Sequence, residues 1–214
     1  MAVGHTRVGF VGRFPLRRSL LTKALLTADV DPTTRLTACG LVRIKPCAAP
    51  QKGLGAFAAQ AIPAGHLLGH YLGEVISLGD MIARYGGDGD SDSPFEYDAA
   101  NEQALWVTQR KARGVTVTGT YLFNAGQCPV SRKIVLVDAE DQTQANFTRY
   151  LNHSVRKANL DVTYEVLPPP EGDAVSVGRP LIQFIASRHI AAGEELLFDY
   201  GDGLDIEVMD FVDD

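Results

Sequence analysis

The chain has 214 residues, 45% hydrophobic and 21% charged, with a net charge of −6. That length suits one domain with an appended arm and can bury a sizeable core. No apolar run approaches the roughly 18–20 residues a membrane helix needs, so no membrane partner is expected.

The cysteines, Cys39, Cys47 and Cys128, are odd in number and widely spaced. They form neither a disulfide framework nor a C-x-x-C zinc pair and read as buried, reduced thiols of an intracellular protein. Charge is unevenly placed. Residues 1–52 hold nine Arg or Lys against Asp29 and Asp31, whereas the tail from Asp202 holds six acids and no base. An acidic body suits a basic peptide partner better than direct nucleic-acid binding.

In chain order, residues 1–35 read as a basic N-terminal arm. Its first 30 residues have the composition of an organellar transit peptide, so it is a possible targeting segment. Residues 36–203 read as the folded domain and 204–214 as an acidic tail. "LTACGLVRIK" alternates and ends at Pro46, which predicts a strand. "HLLGHYLGEVI" is a second extended stretch after Pro63-Ala64-Gly65. "SLGDMIARY" places Leu78, Met81, Ile82 and Tyr85 at helical spacing behind Ser77, a possible cap. "GGDGDSDSPF" is a loop. "KIVLVD", "LDVTYEVL", "LIQFIAS" and "ELLFDY" read as strands separated by turns. The fold class is therefore mostly β with few short helices.

Two familiar spellings fail on inspection. Gly53-x-Gly55-x-x-Ala58, with Glu74 about twenty residues on, outlines a dinucleotide-binding fingerprint. That turn must open a helix carrying the pyrophosphate, yet Pro63 and Gly65 stop any helix within about one turn. The glycines must instead permit close backbone approach in a strand–turn–strand setting. Asp88-x-Asp90-x-Asp92 starts like a calcium loop, but position six is Ser93 and position twelve Ala99. The histidines show no metal spacing, and no metal is expected.

Three stretches belong together: Gly53-Leu54-Gly55 with Tyr71–Ile76, then Arg149–Ser154, then Glu194–Gly201. "NFTRYLNHS" resembles the "R-F-I-N-H-S" motif of the SET-domain protein-lysine N-methyltransferases, and "IAAGEELLFDYGD" resembles their "E-L-x-[FY]-D-Y-G". The resemblance implies a fold of small curved sheets with a knot-like crossing that joins the Asn152-His153 and Tyr200 segments. It also implies S-adenosyl-L-methionine as cofactor and a protein substrate, expected to be a basic histone tail in the nucleus; an organellar non-histone substrate and a non-catalytic peptide-binding module are the alternatives.

By the same resemblance Tyr200 lies nearest the transferring methyl, Tyr121 of "TYLFNAG" lines the lysine channel, and Phe198 sets the methyl count. A Tyr at the position of Phe198 holds a water that restricts the product to monomethyl-lysine; Phe implies di- or trimethylation. Gly53, Leu54 and Gly55 are expected to contact the cofactor's methionine part through backbone. Asn152 and His153 are expected to bind the cofactor, with Tyr71 as its neighbour and Arg149 bracing the fold. The family's cysteine-rich flanking segments have no counterpart here, which makes Phe211 a candidate cover for the site. Trp106, Arg110, Lys111 and Arg113 receive no role from sequence.

Overall fold

The computed structural model describes residues 36–37, 40–85, 99–171 and 177–201. The basic arm, Cys39, the Asp88–Asp92 loop and the acidic tail with Phe211 lie outside them. Among the described residues the strands form three small sheets. Strands β1 (Val42–Pro46) and β2 (Leu54–Ala58) pair antiparallel across a 3-10 turn at Pro50–Lys52. The alternating residues of β1 put Val42 and Ile44 inward, as period-two patterning requires.

"HLLGHYLGEVI" is two strands rather than one. It divides into β3 (Leu67–His70) and β4 (Glu74–Ser77), which enter different sheets. The break falls where Gly73 lies against the Asp138 backbone carbonyl, a place with no room for a Cβ. Helix α1 (Leu78–Tyr85) follows, capped reciprocally: Ser77 Oγ accepts from the Asp80 N–H, and the Asp80 carboxylate accepts from the Ser77 N–H.

A second helix, α2 (Ala99–Ala112), precedes β5 (Leu122–Gln127) and β6 (Ile134–Asp138), which form the sheet order β4-β6-β5. A short β7 (Asn152–His153), a long hairpin of β8 (Leu160–Leu167) with β9 (Arg179–Ala186), and β10 (Leu197–Phe198) complete the fold. These join β3 in the order β3-β9-β8-β10-β7.

The crossing between the two motif segments is made by β10, which lies parallel to β7 on one side and to β8 on the other. Asn159 pins it there: its Oδ1 accepts the Leu197 N–H and its Nδ2 donates to the Glu195 carbonyl, both with Asn159 buried. Phe184, Ile182, Ile190 and Leu196 are fully buried beneath this crossing and bind the sheets into one core. Among the described residues no helix is long and apolar enough to cross a membrane.

Helix α2 carries Trp106, Arg110 and Lys111, three of the residues that sequence left without a role. Its Arg110, 1% exposed, donates to Asp138 Oδ2 (2.8 Å) and Glu74 Oε2 (2.9 Å). Arg84 of α1 also pairs with Glu74, at 2.7 Å. Trp106 packs edge-on against Tyr85 at 5.2 Å and lies beneath the Arg110 guanidinium at 4.7 Å. Glu74, the acid that completed the false fingerprint, thus anchors both helices, with one ion pair to each.

Candidate active site

The two motif segments and the loop before β5 enclose a cavity of about 420 Å³, within the range of small-molecule sites. Seven of the nine sequence-predicted residues line it: Gly53, Leu54, Tyr71, Tyr121, Asn152, Phe198 and Tyr200. Gly55 and His153 do not line it.

Tyr200 is fixed at three points. Its hydroxyl donates to the Leu151 carbonyl at 2.9 Å, its N–H donates to His153 Nδ1 at 3.1 Å, and its ring packs on Phe198 at 4.5 Å. The bond to His153 requires Nδ1 to be unprotonated. The His153 ring thus holds the Tyr200 backbone and lies 5.0 Å from the Tyr200 ring. Burial pushes the Tyr200 phenol well above its ordinary pKa, so at neutral pH it keeps its proton on Leu151 and presents oxygen lone pairs. It can orient a group but not act as a base.

Tyr71 donates its hydroxyl to the Tyr121 carbonyl at 2.9 Å, which fixes the loop entering β5. Burial raises the Tyr71 phenol as well. Phe198 is 5% exposed and joins an aromatic stack with Phe184 (4.8 Å) and Phe123 (6.4 Å).

The two glycines shape the wall in different ways. Gly53 adopts φ 65°, a left-handed turn that favours glycine. Its N–H is engaged with the Pro50 carbonyl, so it shapes the wall without a free donor. At Gly55 the close approach comes from side chains. A Cβ there would lie 2.7 Å from Cys47 Sγ, 2.8 Å from Glu195 Oε1 and 3.0 Å from Asn152 Nδ2. Those groups form a cluster in which Asn152 Nδ2 donates to Glu195 Oε1 at 2.9 Å and Cys47 Sγ lies 3.3 Å from the same oxygen. Burial first, then the Glu195 carboxylate, pushes the Cys47 thiol up to about 11 and keeps it neutral.

The acid pair just before "LLFDY" is the sequence signal for Glu195, whose contact with Cys47 and Asn152 only the fold shows. A Gly55→Ala substitution is expected to cost about 1–3 kcal/mol through overpacking and to displace the Asn152 amide. Cofactor titration and thermal melting check this, and unchanged affinity would remove Gly55 from the site's architecture.

Arg149, 7% exposed, lines the cavity and stacks over the Tyr121 ring at 3.9 Å. Among the described residues no group of three or more His, Cys, Asp or Glu is placed to hold a metal.

Small sheets meeting at a crossing of an Asn-His segment and an Asp-Tyr-Gly segment, around a tyrosine-walled cavity, define a recognisable class. The SET-domain family model matches residues 53–201, and the chain belongs to that family. A zebrafish (Danio rerio) relative named N-lysine methyltransferase KMT5A-A is 26% identical over 151 residues. The match spans 71% of this chain and 33% of that protein, so the chain covers about a third of its relative's length.

Among solved structures, a polycomb repressive complex 2 from Chaetomium thermophilum, autoinhibited and bound to S-adenosylmethionine, overlaps with TM-score 0.49 at 26% identity, covering 75% of this chain and 15% of the other. The CpSET8 structure from Cryptosporidium overlaps with TM-score 0.44 at 23% identity, covering 75% and 57%.

Proposed function

We propose that this chain is an S-adenosylmethionine-dependent protein-lysine N-methyltransferase that acts on a basic histone tail in the nucleus and forms di- or trimethyl-lysine. The observation that carries the reading is Tyr200, a protonated phenol fixed on the Leu151 carbonyl in an aromatic cavity beside Tyr121 and Phe198. The family match and the name of the curated relative support it. A net charge of −6 favours a cationic tail by complementarity.

The donor set fits the cofactor. Asn152 directs its Nδ2 to Glu195 and leaves its Oδ1 without a partner among the described residues, an acceptor for an ammonium group. Leu54 and Tyr71 supply a peptide edge and an aromatic face beside it. When bound, S-adenosylmethionine supplies an electrophilic methyl group.

The chain's own task is to prepare the lysine. A free lysine amine has a pKa near 10.4, as a general reference value of about that size, and only its neutral form has a lone pair. The rings of Tyr121, Phe123, Phe198 and Tyr200 exclude water, and desolvation favours the neutral amine. The Tyr200 oxygen orients it by accepting a hydrogen bond, so orientation rather than base strength accounts for catalysis.

Phe198 has no hydroxyl at the wall, which leaves room for an amine that already carries methyl groups. Transfer of labelled methyl to core histones and to cell extract, with mass spectrometry of the product, tests the whole reading. We expect one histone tail to be labelled with di- or trimethyl-lysine, and Phe198→Tyr to shift the product toward monomethyl-lysine. An unchanged methyl count in Phe198→Tyr would overturn the space argument. Labelling confined to extract would replace the histone by another protein, and absence of both transfer and cofactor binding would refute the enzyme.

A further inference from the structure

Arg149 is a permanent cation in the cavity wall, and the fold alone does not account for it. It sits in the 3-10 turn Phe147–Tyr150, with its guanidinium carbon 3.9 Å from the Tyr121 ring centroid and 5.4 Å from that of Tyr150. Its Nε and Nη1 are buried and find no hydrogen-bond acceptor among the described residues. Burying an uncompensated charge costs more than the faces of two aromatic rings return. An apolar side chain of similar length would pack on Tyr121 without that cost.

The charge acts on the cavity instead. The charged groups of its wall are Lys52, Arg149 and Asp199, joined by the phenols of Tyr71, Tyr121, Tyr164 and Tyr200. Asp199 is exposed, with 51% of its side chain accessible, and its field is screened by solvent. Lys52 is half-buried. Burial keeps Tyr71 and Tyr200 protonated and uncharged. Arg149 is the one of the three charged groups that is more than nine-tenths buried, where a charge is least screened.

Resting on the methyltransferase reading, we propose that Arg149 is a fixed like charge that keeps the protonated form of the acceptor lysine out of the cavity, so that the amine occupies it as the neutral base. A positive neighbour disfavours an ammonium and lowers an amine's pKa, adding to the effect of desolvation. The proton passes to bulk water as the side chain enters, and the nitrogen retains its lone pair. Arg149 touches no reacting atom; it is an electrostatic determinant acting through space. This also explains how an aromatic cage, whose ring faces attract cations, can avoid trapping the unreactive ammonium.

The test uses n-butylamine and n-butanol, a cationic and a neutral mimic of the lysine end, titrated into the full chain without cofactor and followed by ligand-observed NMR. At pH 7 butanol should bind at least about fivefold more tightly than butylammonium, and butylamine should strengthen as pH approaches 10. Arg149→Gln should tighten butylammonium binding about fivefold and leave butanol within about twofold, while Arg149→Lys keeps the discrimination. If Arg149→Gln does not fold, Arg149→Met, which keeps a long stem on the Tyr121 ring, replaces it in the same comparison with the same outcomes. Equal binding of the two probes at pH 7, binding by neither, or butylammonium binding that is the same in Arg149→Gln overturns the proposal. Discrimination without methyl transfer to any protein would sink the methyltransferase reading and leave the exclusion of ammonium in place.

Discussion

Tyr200→Phe is expected to reduce methyl transfer by about 100-fold or more, the scale on which misplacing a reacting group is felt. The fold should survive the change. The ring keeps its contacts with Phe198 and His153, at 4.5 and 5.0 Å, and the backbone bond to His153 does not involve the hydroxyl. What is lost is one hydrogen bond to the Leu151 carbonyl, a net contribution of about 1 kcal/mol. For a domain of this size that lowers Tm by about 2–4 °C.

A rate loss of about 100-fold corresponds to about 2.7 kcal/mol of transition-state stabilisation, which exceeds the stability change and cannot be a by-product of it. Cofactor affinity should change little, because Asn152 and Leu54 stay in place. Measuring kcat, cofactor affinity and Tm on one preparation separates these effects. A Tyr200→Phe enzyme that retains most of its activity would remove the hydroxyl from the mechanism.

The strands legible in the sequence were those whose pattern is local. β6, β8 and β9 each alternate or run apolar between turn signals and appear where expected, whereas β1 takes up only the second half of "LTACGLVRIK". The cavity-lining residues were legible because "LNHS" and "FDYG" are spelled by contiguous residues, although their meeting depends on β10 inserting between two distant strands. Less local features escaped. "ELLFDY" contributes only Leu197–Phe198 to a sheet, because its backbone partners switch within a few residues. α2 is not legible as an amphipathic helix because, among its described side chains, the one buried deepest is Arg110, which period-based reading assigns to solvent. The sequence shows that Gly55 lacks a Cβ but not that the space beside it is filled by Cys47, Asn152 and Glu195, the last two brought in from distant motif segments. A sequence reveals which position lacks a Cβ; only the fold shows which atoms fill the space.

Asp138→Ala is expected to be the most destabilising single change in the described domain outside the apolar core. Asp138 is fully buried and serves three donors through its carboxylate: Arg110 Nη2 at 2.8 Å, the Tyr85 hydroxyl at 2.7 Å and the Glu140 N–H at 2.9 Å. Removing it leaves Arg110, 1% exposed, with Glu74, whose side chain is 31% exposed. Breaking a buried pair in this way costs about 3–5 kcal/mol, or roughly 10 °C in Tm.

Arg84→Met removes a cation from the same cluster, but at a side chain 20% exposed, and should cost about 1 kcal/mol or less. The contrast tests whether burial or charge count governs the cluster. Hydrogen exchange should quicken first in α1 and α2, which the cluster holds against β4 and β6. The cluster also sets an alkaline limit. Burial, then the Asp138 carboxylate, raises the Tyr85 phenol far above its ordinary value, so the folded chain holds that proton while the unfolded chain releases it near pH 10, a typical phenol value of about that size. The unfolded state then binds fewer protons, and stability falls as pH rises through that range. Equal melting losses for Asp138→Ala and Arg84→Met would show that α1 and α2 are held by apolar contact, with the ion pairs incidental.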